Sequence, residues 1–167
     1  MKIKASTTDL EMSLMKAAGT IALRLKQMVV GFSYEFTVTA IQNTPLGDAS
    51  PEPNGYLSLY IKRYNETGLS PIEGFARGSW QVDFDNNIQM QSLYGANSGS
   101  VAGAAAKISL MNYNLGQKVY IANTGPYIVN LENGSSGQAP EGISKPTLNQ
   151  VMESYKIDLK RHYSKVL

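Results

Sequence analysis

The sequence predicts a mixed fold of helices with a small sheet. Apolar residues recur at helical spacing across residues 8–43, and a second helical stripe runs from Leu148 to Val166. Between them Trp80, Val82 and Phe84 alternate with Ser79, Gln81 and Asp83, the period of a half-buried strand. The 167 residues suit one domain with a real core, and a hydrophobic fraction of 43% argues against disorder.

The first helix is expected over 8–43. Thr8 and Glu11 have capping-box spacing, and the stripe is Leu10, Leu14, Ala18, Ile21, Leu25, Met28, Phe32 and Phe36. Gly19 and Gly31 lower helix propensity but admit a close neighbour. Thr44-Pro45 ends the helix, because a residue before proline is pushed out of the helical region. Such a helix offers more surface than one small sheet can cover, which favours a subunit neighbour.

Residues 47–75 are rich in proline and glycine, yet Tyr56, Leu57, Tyr60 and Ile61 make them too apolar for a free linker. They read as an extended arm that orders against a neighbour. Residues 76–93 read as a β-hairpin, with Asp85-Asn86-Asn87 as its turn and Ile88 and Met90 in its second strand. The alanines of Val101–Met111 suit a helix, and Val119–Ile121 a short strand. One or two helical turns follow over 127–132, stopped by Asn133-Gly134. The last helix starts near Pro146, with Leu148, Met152, Tyr155, Leu159, Tyr163 and Val166 as its stripe.

Charged residues make up 17%, below the usual ~25%, so much of the surface is expected to be covered by partners. A net charge of +2 does not make a polyanion binder. The one basic cluster, Lys156, Lys160, Arg161 and Lys165, fits the end of a helix, where cations are favoured. The absence of cysteine excludes disulfides, thiolate metal sites and a cysteine nucleophile. No apolar run reaches the length of a membrane span, and Asp9 and Glu11 interrupt any signal-peptide core. Synthesis in a reducing cytoplasm is the simplest expectation.

Catalytic patterns fail on inspection. His162 is the only histidine and has no partner nearby in sequence. Asp83 to Asn87 resembles the start of a calcium loop, but Ile88 stands where glycine is needed and Tyr94 where the closing glutamate belongs. Residues 95–107 lack the phosphate-loop pattern, because Gly103 is followed by three alanines before Lys107. No catalytic, cofactor or metal residue is therefore assigned.

Three blocks stand out in order. Thr44-Pro45-Leu46-Gly47-Asp48 follows the first helix, and Gly74-Phe75-Ala76-Arg77-Gly78-Ser79-Trp80-Gln81 opens the hairpin. The third is Val119-Tyr120-Ile121-Ala122-Asn123-Thr124-Gly125-Pro126-Tyr127, continuing through Leu131-Glu132-Asn133-Gly134 to Ser136-Gly137-Gln138-Ala139-Pro140-Glu141-Gly142. This series resembles the neck or tail-completion family of long-tailed bacteriophages, also called head–tail joining or minor tail proteins. There a TP step follows the first helix, then an R-x-x-W strand, and N-x-x-PY-x-x-x-(I/L)-E-x-G-x-S-x-QAP-x-G closes the domain. The likeness covers about residues 8–155, and the 47–75 insertion departs from the commonest pattern.

The resemblance implies an α+β fold, a small antiparallel sheet packed by a long N-terminal helix and a C-terminal helix. It implies a non-enzymatic virion protein forming a ring of copies around the DNA channel, at the head–tail joint or tail end. Its partners would be other copies and the tail terminator, tail tube or head connector. DNA would pass without sequence-specific contact, and no membrane is involved. A transient phage assembly chaperone or small binding module is the alternative. Interface or motif candidates are Thr44, Pro45, Tyr56, Tyr60, Arg77, Trp80, Asn123, Pro126, Tyr127, Glu132, Gly134, Gln138 and Pro140. Asn123 can hold a turn through its own backbone, and Arg77 and Glu132, opposite in charge, are candidates to pair. Either these residues shape the fold, or Tyr127, Glu132 and the 134–142 loop face a neighbouring subunit.

Overall fold

The computed structural model describes residues 7–46, 74–89, 93, 97–125, 128–134 and 136–163, with backbone alone for residues 7 and 157–163. The proposed arm lies outside this set, apart from Gly74 and Phe75.

Helix α1 spans Thr7–Asn43, so Thr8 stands inside it rather than at its cap. Its 37 residues make a rod of about 55 Å at 1.5 Å per residue. Ser13, Thr20 and Thr37 inside it turn their hydroxyls back on the preceding turn, Thr37 Oγ1 to the Ser33 carbonyl at 2.8 Å. The rod closes at Thr44, whose N–H and hydroxyl both donate to the Ala40 carbonyl, at 2.9 and 2.6 Å. Burial begins only with Ser33 and Thr37, and everything from Thr8 to Ile21 is exposed.

After Gly74 come a single helical turn, α2 (Phe75–Gly78), and strand β1 (Trp80–Asp83). β1 pairs antiparallel with β2 (Tyr120–Asn123), Trp80 opposite Asn123 and Asp83 opposite Tyr120. Among the described residues the hairpin expected over 76–93 is therefore not formed, and Met90 of its expected second strand lies outside them. The first strand is real, but its partner comes from 40 residues further on. Asp83 decides this locally, because its carboxylate accepts the N–H of Asn87 at 2.7 Å and of Asp85 at 3.3 Å. Asn86 then turns through φ 55°, and Gln89 returns to a side-chain bond with Gln81 at 2.7 Å instead of a ladder.

Between the strands lies α3 (Ser98–Met111), followed after β2 by the short α4 (Ile128–Glu132) and by α5 (Ser144–Tyr163). α3 buries Gly99, Ala102, Gly103, Ala106 and Leu110. A Cβ at Gly99 would sit 2.8 Å from a methyl of Ile41, so the small residues set how closely α3 approaches α1. The core is Ala40, Ile41, Trp80, Ala102, Ala139 and Ile143, with a second cluster of Val82, Ala106 and Leu110. Trp80 and Val82 face inward while Gln81 and Asp83 are half-buried, as alternation requires.

α5 runs antiparallel to α1: Asn43 Nδ2 donates to Thr147 Oγ1 at 3.0 Å, and Ser154 Oγ to Glu35 at 2.6 Å. Tyr155 meets Phe32 edge to face at 5.4 Å, and a Cβ at Gly31 would lie 2.9 Å from the Tyr155 hydroxyl. Of the expected stripe, Tyr155 packs on α1, while the fully buried positions of α5 are Thr147 and Val151. Leu148 and Met152 point to solvent, and the side chains of Leu159, Tyr163 and Val166 lie outside the described residues. The architecture is α+β, with the two long helices and the two-stranded sheet packed together.

Candidate functional site

The motif residues assemble into two polar joints where helices end. At the first, Trp80 projects from β1 and donates its indole N–H to Thr44 Oγ1 at 2.8 Å. Both side chains are buried, Thr44 completely. Arg77, on α2, donates Nε–H to the Thr44 carbonyl at 2.7 Å. The last carbonyls of a helix lack intrahelical partners and carry its negative dipole end, so a guanidinium there satisfies both. Asn123 closes the joint from β2: its amide donates to the Ala76 carbonyl at 2.7 Å, and its Oδ1 accepts the Gly125 N–H at 2.8 Å. The expected self-bonded turn at Asn123 is present.

At the second joint Glu132 grips the start of α5. Its carboxylate accepts the N–H of Ile143 at 3.2 Å, the N–H of Ser144 at 3.1 Å and the hydroxyl of Ser144 at 2.6 Å. A negative charge on exposed N–H groups at a positive dipole end is the complement of what Arg77 does. Two glycines with positive φ carry the loop around it, Gly134 at 74° and Gly142 at 79°. A Cβ at Gly134 would run into the Pro140 carbonyl, and one at Gly142 would lie 2.6 Å from the Glu132 carbonyl. Ala139, in the middle of the loop, is buried in the core.

Arg77 and Glu132 do not pair. Each holds a different helix end, and among the described residues the ion pair formed is Lys156–Glu153. Pro45 is half-buried beside the first joint, while Gln138 and Pro140 are exposed. Tyr56, Tyr60, Pro126 and Tyr127 lie outside the described residues. Sequence reading missed Ser79, Ser98 and Ser144, whose hydroxyls lock turns. Ser98 Oγ donates to the Gly74 carbonyl at 2.5 Å, a contact between segments 24 residues apart with no signal in either.

These joints use up their polar groups internally, so the surface has to be sought elsewhere. α3 presents a second apolar side outward: Val101, Ile108 and Met111, the last two 65% and 73% exposed, continued by Leu115. Val129 of α4 and Leu148 and Met152 of α5 form further exposed apolar positions. Among the described residues no three carboxylates or histidines are placed to hold a metal, and no helix is long and apolar enough to cross a membrane.

No family model, no curated protein and no solved structure matches the chain.

Proposed function

We propose that the chain is a structural subunit of a tailed-phage particle, one copy of a ring at the head–tail joint or the tail end. The observation that carries this reading is the outward side of α3. With Ala102, Ala106 and Leu110 buried beneath and Val101, Ile108 and Met111 exposed above, α3 carries apolar side chains on both its inner and its outer side, with Ser100 and Lys107 beside the outer ones. An apolar strip left in water is ordinarily an interaction site, and here the missing cover is a neighbouring subunit. Ring contacts are head-to-tail and need two unlike faces on every subunit. Val129, Leu148 and Met152 on α4 and α5 supply the second.

The motif supports the same reading from the other side. Thr44, Arg77, Trp80, Asn123 and Glu132 are spent on holding helix ends in fixed places, a scaffolding use rather than a catalytic one. The motif series is also the one that resembles the neck or tail-completion family. Neighbouring copies and the adjoining tail or head proteins are the partners this reading requires, with the virion as its location.

Quantitative mass spectrometry of purified particles tests it. A fixed copy number per particle is expected, and Ile108→Glu with Met111→Glu should yield separate heads and tails. Normal particles from that double variant would overturn the α3 contact. Absence from particles of a protein still needed to build them would favour a transient assembly chaperone instead.

A further inference from the structure

The outer part of α1 carries an apolar face that none of the described residues covers. Leu10, Leu14, Ile21, Leu25 and Met28 recur at helical spacing on one side of the rod, between 47% and 61% exposed. The same side carries Phe32 further along, where Tyr155 of α5 packs on it. A face built for helix packing thus runs outward for more than four turns beyond its last partner. A lone helix of that length is marginal in water, so the arm gains stability from a second surface.

Its charges say which surface. Asp9 and Glu11 sit near the start of the arm, and Arg24 and Lys26 near its base. At about 100° per residue Glu11 and Lys26 fall on one flank of the apolar stripe, and Asp9 and Arg24 on the other. Midway lie Ala17 and Ala18, one on each edge of the stripe.

We propose that the arm pairs with the same segment of a second copy, antiparallel, about a two-fold axis near Ala17 and Ala18. This does not rest on the virion reading and concerns the free subunit, because a two-fold pair points its copies in opposite senses while the copies of a ring share one. An isologous pairing sets each flank against the same flank of its copy. Glu11 then faces Lys26 of the second copy, and Asp9 faces its Arg24. Leu10 comes level with Leu25, Leu14 with Ile21, and small residues at the axis let the rods approach. A parallel pair would set each flank against the opposite flank at the same level, Glu11 near Asp9 and Lys26 near Arg24 of the second copy, so charge selects the antiparallel one. The five apolar side chains with their flanking stems would bury roughly 1,200 Å² across two copies, the lower end of the range for specific interfaces. The pair is therefore a concentration-dependent one.

Sedimentation velocity of the full chain over a concentration series is the first measurement, with Trp80 fluorescence reporting that the body stays folded. A monomer–dimer equilibrium that weakens in high salt is expected. Glu11→Lys or Lys26→Glu alone should weaken dimerisation about tenfold, since each acts twice per dimer. The double variant E11K/K26E should return to within about threefold of the parent. Because the chain lacks cysteine, single cysteines fix the register. Ala18→Cys should be joined to its own copy by a short bis-maleimide. Leu10→Cys should not, but should be joined to a chain carrying Leu25→Cys. A monomer at every concentration, self-joining of Leu10→Cys, or a double charge variant no better than the singles would overturn the proposal. So would an arm that dimerises only when a different protein is added.

Discussion

Trp80 shows how one side chain can fasten three elements. Its ring lies in the core against α1, while its N–H reaches the hydroxyl that closes α1. Trp80→Ala should cost about 3–5 kcal/mol by leaving a cavity. Trp80→Phe keeps most of the packing, and should cost nearer 1–2 kcal/mol for the lost bond and part of the volume. Chemical denaturation of both variants separates packing from hydrogen bonding, and equal losses would show that the bond dominates. Arg77 and Glu132 make a second test. They share no partner, so a double-mutant cycle with Arg77→Ala and Glu132→Ala should be additive within about 0.5 kcal/mol. A coupling above 1 kcal/mol would put them back in contact.

Asp83 adds a pH effect at the same scale. The N–H of Asn87 holds its carboxyl below the ordinary value of 3.8. A group with a depressed folded pKa stabilises the fold above its unfolded value, and the gain disappears as pH falls through the folded one. The contribution is therefore complete at neutral pH and lost below about pH 4. Comparing acid unfolding of the parent and Asp83→Asn checks this, since the variant should lack that part of the acid sensitivity. Parallel curves for the two proteins would count against it.

Among the elements, α5 is where periodicity alone was ambiguous. Leu148, Met152 and Tyr155 share helical spacing, but so do Thr147, Val151 and Ser154, one step around the helix. The larger side chains suggested the wrong buried face, because Thr147 and Val151 fit against α1 by being small. Val151→Ala should then destabilise by about 1–2 kcal/mol, and Leu148→Ala by less than about 0.5 kcal/mol. Thermal melts of the two settle the order, and a reversed order would restore the original stripe. The small antiparallel sheet is present, but its pairing differs from the expected hairpin for another reason. Alternation in Trp80–Phe84 is local and was legible, whereas its pairing with Tyr120–Asn123 is a long-range choice that no local signal carries. Asn133-Gly134 as a stop and Thr44-Pro45 as a helix end were readable because backbone geometry permits few residues there. The roles of Arg77 and Glu132 were not, since a helix end recruits its charge across space.

At the scale of the whole molecule, stability is unevenly spread. α1 is anchored over roughly its last third, by α3, α5 and the sheet, and exposed along the rest. Amide exchange at low concentration should follow this, fast through Leu10–Leu25 and slow from Ser33 to Thr44. Protection that is uniform along α1 in a dilute monomer would contradict the distribution.

A rod fixed at one end is also a lever. The fulcrum is the place where Gly31 admits the Tyr155 ring, and about 33 Å of helix extends beyond it at 1.5 Å per residue. Tilting the rod by about ten degrees at that point would carry its tip through roughly 6 Å at that length. Gly31→Ala, which places a methyl against the Tyr155 hydroxyl, should therefore be felt most at Met12, far from the substitution. A spectroscopic label there would read, as displacement, a packing change too small to detect where it occurs.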